Sequence, residues 1–273
     1  MGRGISGAVD DFEQRFGGIA RLYGREVLAR FRRKHVCVVG VGGVGSWVVE
    51  ALARSGIGAL TMIDLDDVCV TNVNRQLPAM DGNLGRPKVA VLAERVRAIS
   101  PSCRVQAVAE FLTESNAERR LLPEYDYVID AVDRVAIKVL MIVRCRELGV
   151  PILTMGGAGG RRDALQVRMA DLNRTAGDRL LKTVRKVLRS EFGFAAAGKK
   201  RHGVKAVYSE EQQVFPWSDG ICRPGAEPGG SLRMDCASGY GAAMHVTAAF
   251  ALAACGAVLE EFSRDNEPVL TGA

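Results

Sequence analysis

The stretch Val36-Cys37-Val38-Val39-Gly40-Val41-Gly42-Gly43-Val44-Gly45-Ser46-Trp47 decides the fold. Its valine-rich opening reads as a buried parallel strand. Gly40, Gly42 and Gly45 then make the tight turn that opens a helix, whose free backbone N–H groups face a phosphate, with Gly43 in the same loop. A glycine fingerprint alone is shared by many α/β proteins, so the residues after it must name the ligand.

A nucleotide site of this kind needs an acid about 20 residues on, at the end of the second strand, to hold ribose hydroxyls. Asp64, at the end of the apolar run Ala59–Ile63, meets that need, and Asp66 follows as a second, weaker candidate. By this criterion NAD and ATP fit equally. Cations separate them. A triphosphate split at its α-phosphorus needs its charge held by Arg, Lys or Mg²⁺, and Arg75 and Lys88 lie just downstream, where NAD would leave them idle. Lys88 follows Pro87, a residue favoured where helices begin, so its ammonium is expected near a helix start.

The pattern continues outward as alternating strands and helices. Helix 45–55, strand 59–64, helix Lys88–Ile99, strand Cys103–Ala109, helix 114–122, strand 126–132, helix 134–148 and strand 151–155 predict a doubly wound, mostly parallel, Rossmann-like α/β sheet. Asp130 and Asp133 fall at a strand end, where open sheets place their ligands; Asp133 would otherwise cap the following helix. Residues 1–34 read as a helical lead-in and 35–155 as the nucleotide-binding core. Residues 156–273 read as a C-terminal elaboration of the same single domain, with a strand at Leu165–Met169 and a helix at Arg179–Phe192. A loop over Gly193–Gly203, short strands at Ala206–Tyr208 and Gln213–Phe215, and no regular pattern over Ile221–Leu232 complete it.

Composition sets bounds around this. A chain of 273 residues with 48% apolar content can bury a sizeable core, and a formal charge of +6 favours polyanionic partners without naming one. The seven cysteines stand singly and form no Cys-x-x-Cys pair, which predicts reduced thiols in a cytoplasmic protein, and the three histidines are too scattered for a metal cluster. Ala237–Leu259 is uncharged and long enough to span a bilayer, but its Ala and Gly content with Ser238, Tyr240, His245 and Thr247 favours a buried helix over membrane association. The segment from Lys182 to Lys205 is strongly basic, opposed only by Glu191, and Lys199, Lys200 and Arg201 in its loop are candidates to grip a polyanion.

The order of glycine loop, Asp64-x-Asp66, Asn72-x-Asn74-Arg75-Gln76, Gly85-x-x-Lys88 and Asp130-Ala131-Val132-Asp133 resembles the ubiquitin-activating-enzyme superfamily, which activates carboxylates as acyl-adenylates. Further matches narrow the likeness. Arg15-Phe16-Gly17-Gly18, Arg21-Leu22-Tyr23-Gly24, Gly156-Gly157-Ala158-Gly159-Gly160, Ser218-Asp219-Gly220 and Arg233–Gly241 are similar to the tRNA threonylcarbamoyladenosine dehydratases. The resemblance implies ATP-dependent ring closure on a modified adenosine beside the tRNA anticodon, with ATP and Mg²⁺, and makes tRNA the polyanion whose phosphates Lys199, Lys200 and Arg201 would grip. It implies Arg75 on the β- and γ-phosphates, Asn72 ordering the loop, Lys88 on the α-phosphate and Asp133 holding Mg²⁺ and directing the attacking carboxylate. Arg134 departs from the family pattern, which often has Asn there. The resemblance further implies a homodimer in which Arg15 or Arg21 reaches the partner subunit's γ-phosphate, and an association with cysteine desulfurase systems. Zinc, which some relatives hold on two Cys-x-x-Cys pairs, is not expected. Cys222 and Cys236 are candidates for an acyl-accepting thiol, although ring closure requires none. The rival reading is an adenylyltransferase acting on the C-terminal glycine of a ubiquitin-like sulfur carrier; a NAD-binding or regulatory Rossmann module is the third.

Overall fold

The strand read from the glycine fingerprint lies in the middle of a seven-stranded sheet, in a computed structural model that describes residues 11–196, 199–225, 227 and 241–264. Its strands are β1 (His35–Val39), β2 (Ala59–Ile63), β3 (Arg104–Val108), β4 (Tyr127–Asp130), β5 (Ile152–Met155), β6 (Val167–Asp171) and β7 (Lys205–Ser209), in the order β3-β2-β1-β4-β5-β7-β6. All neighbours are parallel except β6 against β7. The order reverses between β1 and β4, and at such a switch point the connections diverge to opposite faces and leave a crevice at the carboxyl ends of the strands.

Helices cover both faces, as parallel strands demand. Val36 and Val38 of β1 face a core shared with α3 (Gly45–Arg54), α4 (Lys88–Ile99) and α8 (Met244–Arg264), while Cys37 and Val39 face α5 (Ala117–Arg120), α6 (Val135–Leu148) and α7 (Arg179–Phe192). The two-residue alternation of a strand thus sorts one sequence into two cores. The expected helix over 114–122 is reduced to the single turn of α5, because Asn116 bonds back to Thr113 N and Phe111 O and so holds the preceding residues in a loop.

The lead-in forms α1 (Phe12–Tyr23) and α2 (Arg25–Phe31). Phe12, Phe16 and Leu28 close over Gly56, in the turn that enters β2. The lead-in therefore sits at the edge of the sheet where strands begin, opposite the crevice.

Past residue 155 the chain extends the same sheet rather than building another. β6 and β7 add to its edge, and a hairpin of β8 (Val214–Pro216) and β9 (Cys222–Pro224) stands beside it. The irregular stretch expected from Ile221 thus contains a short strand: Cys222–Pro224 gains regular pairing from β8, a long-range partner that local sequence pattern does not reveal. Residues 228–232 lie outside the described residues. Helix α8 is, among the described residues, the one helix long and apolar enough to cross a membrane. Val246, Phe250, Ala254, Val258 and Phe262 on it are buried in the core with α3 residues such as Val48 and Leu52, so one side of the helix serves the interior, while Met244 and Leu252 are exposed.

Candidate active site

The crevice at the switch point is a cleft of 1060 Å³. Its floor is the turn after β1. Gly40 takes φ +81°, a conformation that L side chains rarely adopt, and a Cβ on Gly45 would stand 1.8 Å from Gly40 O, so both positions require glycine for the turn to close onto α3. Asp64 pins this turn: Oδ2 accepts from Val41 N (2.7 Å) and Oδ1 from Asp66 N (2.8 Å). Each carboxylate oxygen has more than one lone pair, so acceptor capacity remains for a ribose hydroxyl.

On the β2 side, Lys88 is the first residue of α4, with Pro87 as its N-cap. Its side chain is almost fully buried, and Nζ donates to Asp66 Oδ2 (2.8 Å), whose carboxylate is half exposed to the cleft. An ammonium has three donors, so one bond to Asp66 aims it while two remain. Asn72 is buried with Oδ1 accepting from Cys69 N (3.2 Å), which fixes the short turn before Arg75. Arg75 Nη1 donates to Thr71 O (2.8 Å) and Asn74 Oδ1 (3.0 Å), and it forms no ion pair with an acid among the described residues. From the far end of the sequence, Asn74 Nδ2 donates to Ala242 O (2.6 Å), and Gly241, Ala242 and Thr247 complete this wall.

The opposite wall is Ala131–Val135 after β4 and Gly156–Gly159 after β5. Asp133 is exposed and has no hydrogen-bond partner among the described residues; it does not cap α6, whose N-cap is Arg134 without a side-chain bond. Below it, Asp178 is buried between three donors. Its Oδ2 accepts from Gly157 N (2.9 Å) and from Arg161 Nη2 (3.2 Å), and its Oδ1 from Leu181 N (2.9 Å) at the start of α7. A Cβ on Gly156 would meet Asp178 Oδ2 at 2.4 Å, which explains glycine there. Glu110, the half-exposed Phe111 and Arg179 finish the lining.

The geometry is that of a nucleotide cleft with Arg75 and the Asp66-bound Lys88 on one wall and, on the other, Asp133, a carboxylate with no partner among the described residues. The family model for the ThiF family matches residues 17–194. A tRNA threonylcarbamoyladenosine dehydratase of Haemophilus influenzae is 47% identical over 261 residues, covering 96% of this chain and 98% of that protein. One of Escherichia coli is 49% identical over 253 residues, covering 92% and 94%. The chain belongs to the tRNA threonylcarbamoyladenosine dehydratases of the ThiF family. The solved ATP complex of the E. coli tRNA N6-threonylcarbamoyladenosine dehydratase superposes with a TM-score of 0.82 at 44% identity, covering 93% of this chain and 96% of that one.

Of the residues that sequence predicted for a dehydratase of this family, the structure brings Gly40, Gly42, Gly43, Asp64, Asp66, Asn72, Arg75, Lys88 and Asp133 to one cleft; Gly45 lies directly behind, as the first residue of α3. Asp130 is a correction. It is wholly buried beneath the cleft, where Oδ2 accepts from Lys138 Nζ (3.0 Å) and Thr154 Oγ1 (2.5 Å) and Oδ1 from Val132 N (3.2 Å). It steadies the loop that carries Asp133 and cannot touch nucleotide. Burial pushes its carboxyl above the usual carboxylate range, against the pull of Lys138.

Lys199, Lys200 and Arg201 are not at the cleft either. They follow α7 and lead into β7, which runs parallel to β5, so they lie at the edge where strands begin. The 14 residues of α7 separate them from the cleft by roughly 21 Å at the usual helical rise. Arg15 and Arg21 are at that same edge. Arg15 bonds Asp11 Oδ2 (2.7 Å) and Ile99 O (3.4 Å), and neither arginine approaches the cleft of its own chain.

Cys37, Cys103, Cys145 and Cys255 are buried, and burial pushes the Cys103 thiol up to about 11 and those of Cys145 and Cys255 up to about 12. Cys222 is exposed on β9; Cys236 lies outside the described residues. Sequence reasoning missed Asp178, Arg161, Arg179 and Phe111. For Asp178 one signal was available: an acid three residues before Leu181 at the predicted start of a helix is a capping pattern.

Proposed function

We propose that Arg75, Lys88 and Asp133 carry out an ATP-dependent dehydration of N6-threonylcarbamoyladenosine at the adenosine 3′ of the tRNA anticodon, through a carboxyl-adenylate. The observation that carries this reading is the placement of two cations and a carboxylate with no partner among the described residues around one cleft whose glycine turn and Asp64 form a nucleotide floor. In the first step a carboxylate oxygen of the threonylcarbamoyl group bonds the α-phosphorus and the bond to pyrophosphate breaks. Lys88, held by Asp66, and Arg75 stabilise the negative charge that grows on the phosphates. In the second, an atom of the same side chain attacks the acyl carbon, AMP leaves, and the ring closes with net loss of one water. The second nucleophile is already tethered, so the enzyme mainly orients and excludes water.

The cleft suits Mg²⁺. That ion takes one or two protein carboxylates and fills its remaining positions with phosphates and water, and Asp133 offers one exposed carboxylate with no competing partner among the described residues. When bound, Mg²⁺ would neutralise phosphate charge, with Asp133 as its protein ligand. Within this reading the whole chain is one functional unit in the cytosol and acts as a homodimer. Arg15 and Arg21, remote from their own cleft, are the candidates to serve a partner subunit's. The sulfur-carrier adenylyltransferase reading uses the same ATP residues and is less favoured, because the near-full-length likeness is to dehydratases.

Incubation with ATP and bulk tRNA, followed by mass analysis of nucleosides, tests the reaction: threonylcarbamoyladenosine is expected to lose the mass of one water. An unchanged nucleoside together with adenylation of a carrier's C-terminal glycine would establish the rival. A binding test separates ATP from NAD. At about 100 times its dissociation constant, ATP is expected to stabilise the fold by about 2.7 kcal/mol through mass action, while NAD at the same concentration leaves the melting temperature in place. Stronger stabilisation by NAD reverses the assignment.

A further inference from the structure

Helix α7 begins in the wall of the cleft and ends at the opposite edge of the sheet. Its start is fixed by the Asp178–Arg161 pair, both side chains at most 1% exposed, with Asp178 capping Leu181 N. Leu181, Val184 and Leu188 form its buried stripe. At 3.6 residues per turn, Arg179, Lys182, Lys186 and Arg189 fall within one sector on the other side. The first three are exposed and Arg189 is partly so, and none of the four makes an ion pair with an acid among the described residues. Arg185, between them in sequence, turns inward and donates to Thr175 Oγ1.

The row is continuous with the cleft. Arg179 lines it, with its guanidinium 5.5 Å from the centre of the Phe215 ring. Arg189 stands about 15 Å further on at the helical rise, and beyond it come Lys199, Lys200 and Arg201. Among the described residues the acids next to the helix are Glu191 at its far end, Glu210, packed beside Gly177 at the near end, and the cap Asp178, which is buried in its pair with Arg161. Like charges spaced four apart, as in Lys182 and Lys186, oppose helix formation, so folding does not account for the row. A polyanion with regularly spaced charges does.

We propose that this face of α7 tracks the phosphates of the RNA strand entering the cleft, with Arg179 on the nucleotide whose base is being modified and Lys182, Lys186 and Arg189 on successive phosphates leading away. The assignment rests on the tRNA reading above and changes its geometry: the helix, not the loop of Lys199–Arg201, makes the contacts next to the reacting base. The loop lies where only a more distant part of the RNA reaches.

The test uses the full chain with tRNA across a range of salt. Each phosphate contact contributes a slope of about 0.7 to 0.9 to log affinity against log salt. The double variant Lys182→Ala/Lys186→Ala is expected to weaken tRNA binding about tenfold or more at moderate salt and to flatten the slope by about 1.5. Its ATP-induced melting shift is expected to match the parent's, which shows the fold intact. Lys182→Arg/Lys186→Arg, which keeps the charge, is expected to restore both affinity and slope. Parental affinity and slope in the alanine double variant overturn the proposal, as does loss confined to a Lys199→Ala/Lys200→Ala/Arg201→Ala variant. If the parent itself neither binds tRNA nor dehydrates its nucleoside, the tRNA reading fails first and the helix assignment falls with it.

Discussion

Asp133→Ala is expected to lower the rate of adenylation by at least about 10²-fold, the scale of losing a group that acts on transition-state charge, while leaving the melting temperature unchanged. The two halves of the expectation come from one observation. Asp133 is exposed in the cleft wall, makes no hydrogen bond among the described residues and does not cap α6, so among the described residues no hydrogen bond is lost with it. Whatever the variant loses is lost toward ligand. Pyrophosphate release with saturating ATP and tRNA is the measurement, and near-normal release would sink the assignment. Asp133→Asn keeps the shape but removes the charge, and is expected to be nearly as slow.

The largest effect on stability is expected one turn deeper, at Lys138→Met. Lys138 and Asp130 form an ion pair with neither side chain exposed, and Thr154 Oγ1 donates to the same carboxylate. Removing one partner of a buried pair leaves an uncompensated charge and typically costs about 3–5 kcal/mol, which for a chain of this size lowers the melting temperature by roughly 10 °C. The loss should depend on pH with a definite sign. Burial already holds Asp130 above the usual carboxylate range, and without Lys138 its carboxyl rises further. An acid whose folded pKa lies above its unfolded value favours the folded state when protonated, so that advantage is present at low pH and is lost as pH rises from the unfolded toward the folded pKa. Lys138→Met should therefore be less damaging near pH 5 than near pH 8. Asp130→Asn added to it should recover part of the loss at pH 8. A pH-independent loss, or none, contradicts the role given to this pair.

Asp130 also shows where sequence stopped being readable. Asp130 and Asp133 share one short segment at a strand end and look equally suited to ligand binding. The difference is orientation. Asp130 is still in β4, where side chains alternate between two faces that are both covered, and its neighbour Thr154 on β5 receives it into the interior. Asp133 is three residues on, in the open loop. Composition cannot separate these cases in a parallel sheet, because a buried position there reads the same on either face.

The nucleotide-binding half was legible because its determinants are local. The glycine turn, Asp64 at the end of β2, and Lys88 at the start of α4 each sit at the boundary of an element whose periodicity is strong. The wall of Asp178, Arg161 and Arg179 was not, since its parts come from a loop, a cap and a helix start joined by contacts across 17 and 21 residues. Cys222–Pro224 was misread for a related reason: three residues become a strand only because Val214–Pro216 lies alongside. The basic segment was visible as composition, but the direction of α7, which takes its loop away from the cleft, follows only from β7 being parallel to β5.

The bond from Asn74 to Ala242 spans 168 residues, and Thr247 reaches the backbone of Arg75 across 172. Translation delivers these neighbours in one wall of the cleft far apart in time. A ribosome that has finished β1 to β5 has released the glycine turn, Lys88 and Asp133, yet the segment that braces Asn74 and Arg75 is still to be made. Completion of the nucleotide cleft therefore waits until the chain has reached α8, and a product cut short before α8 would lack both this brace and a face of its core.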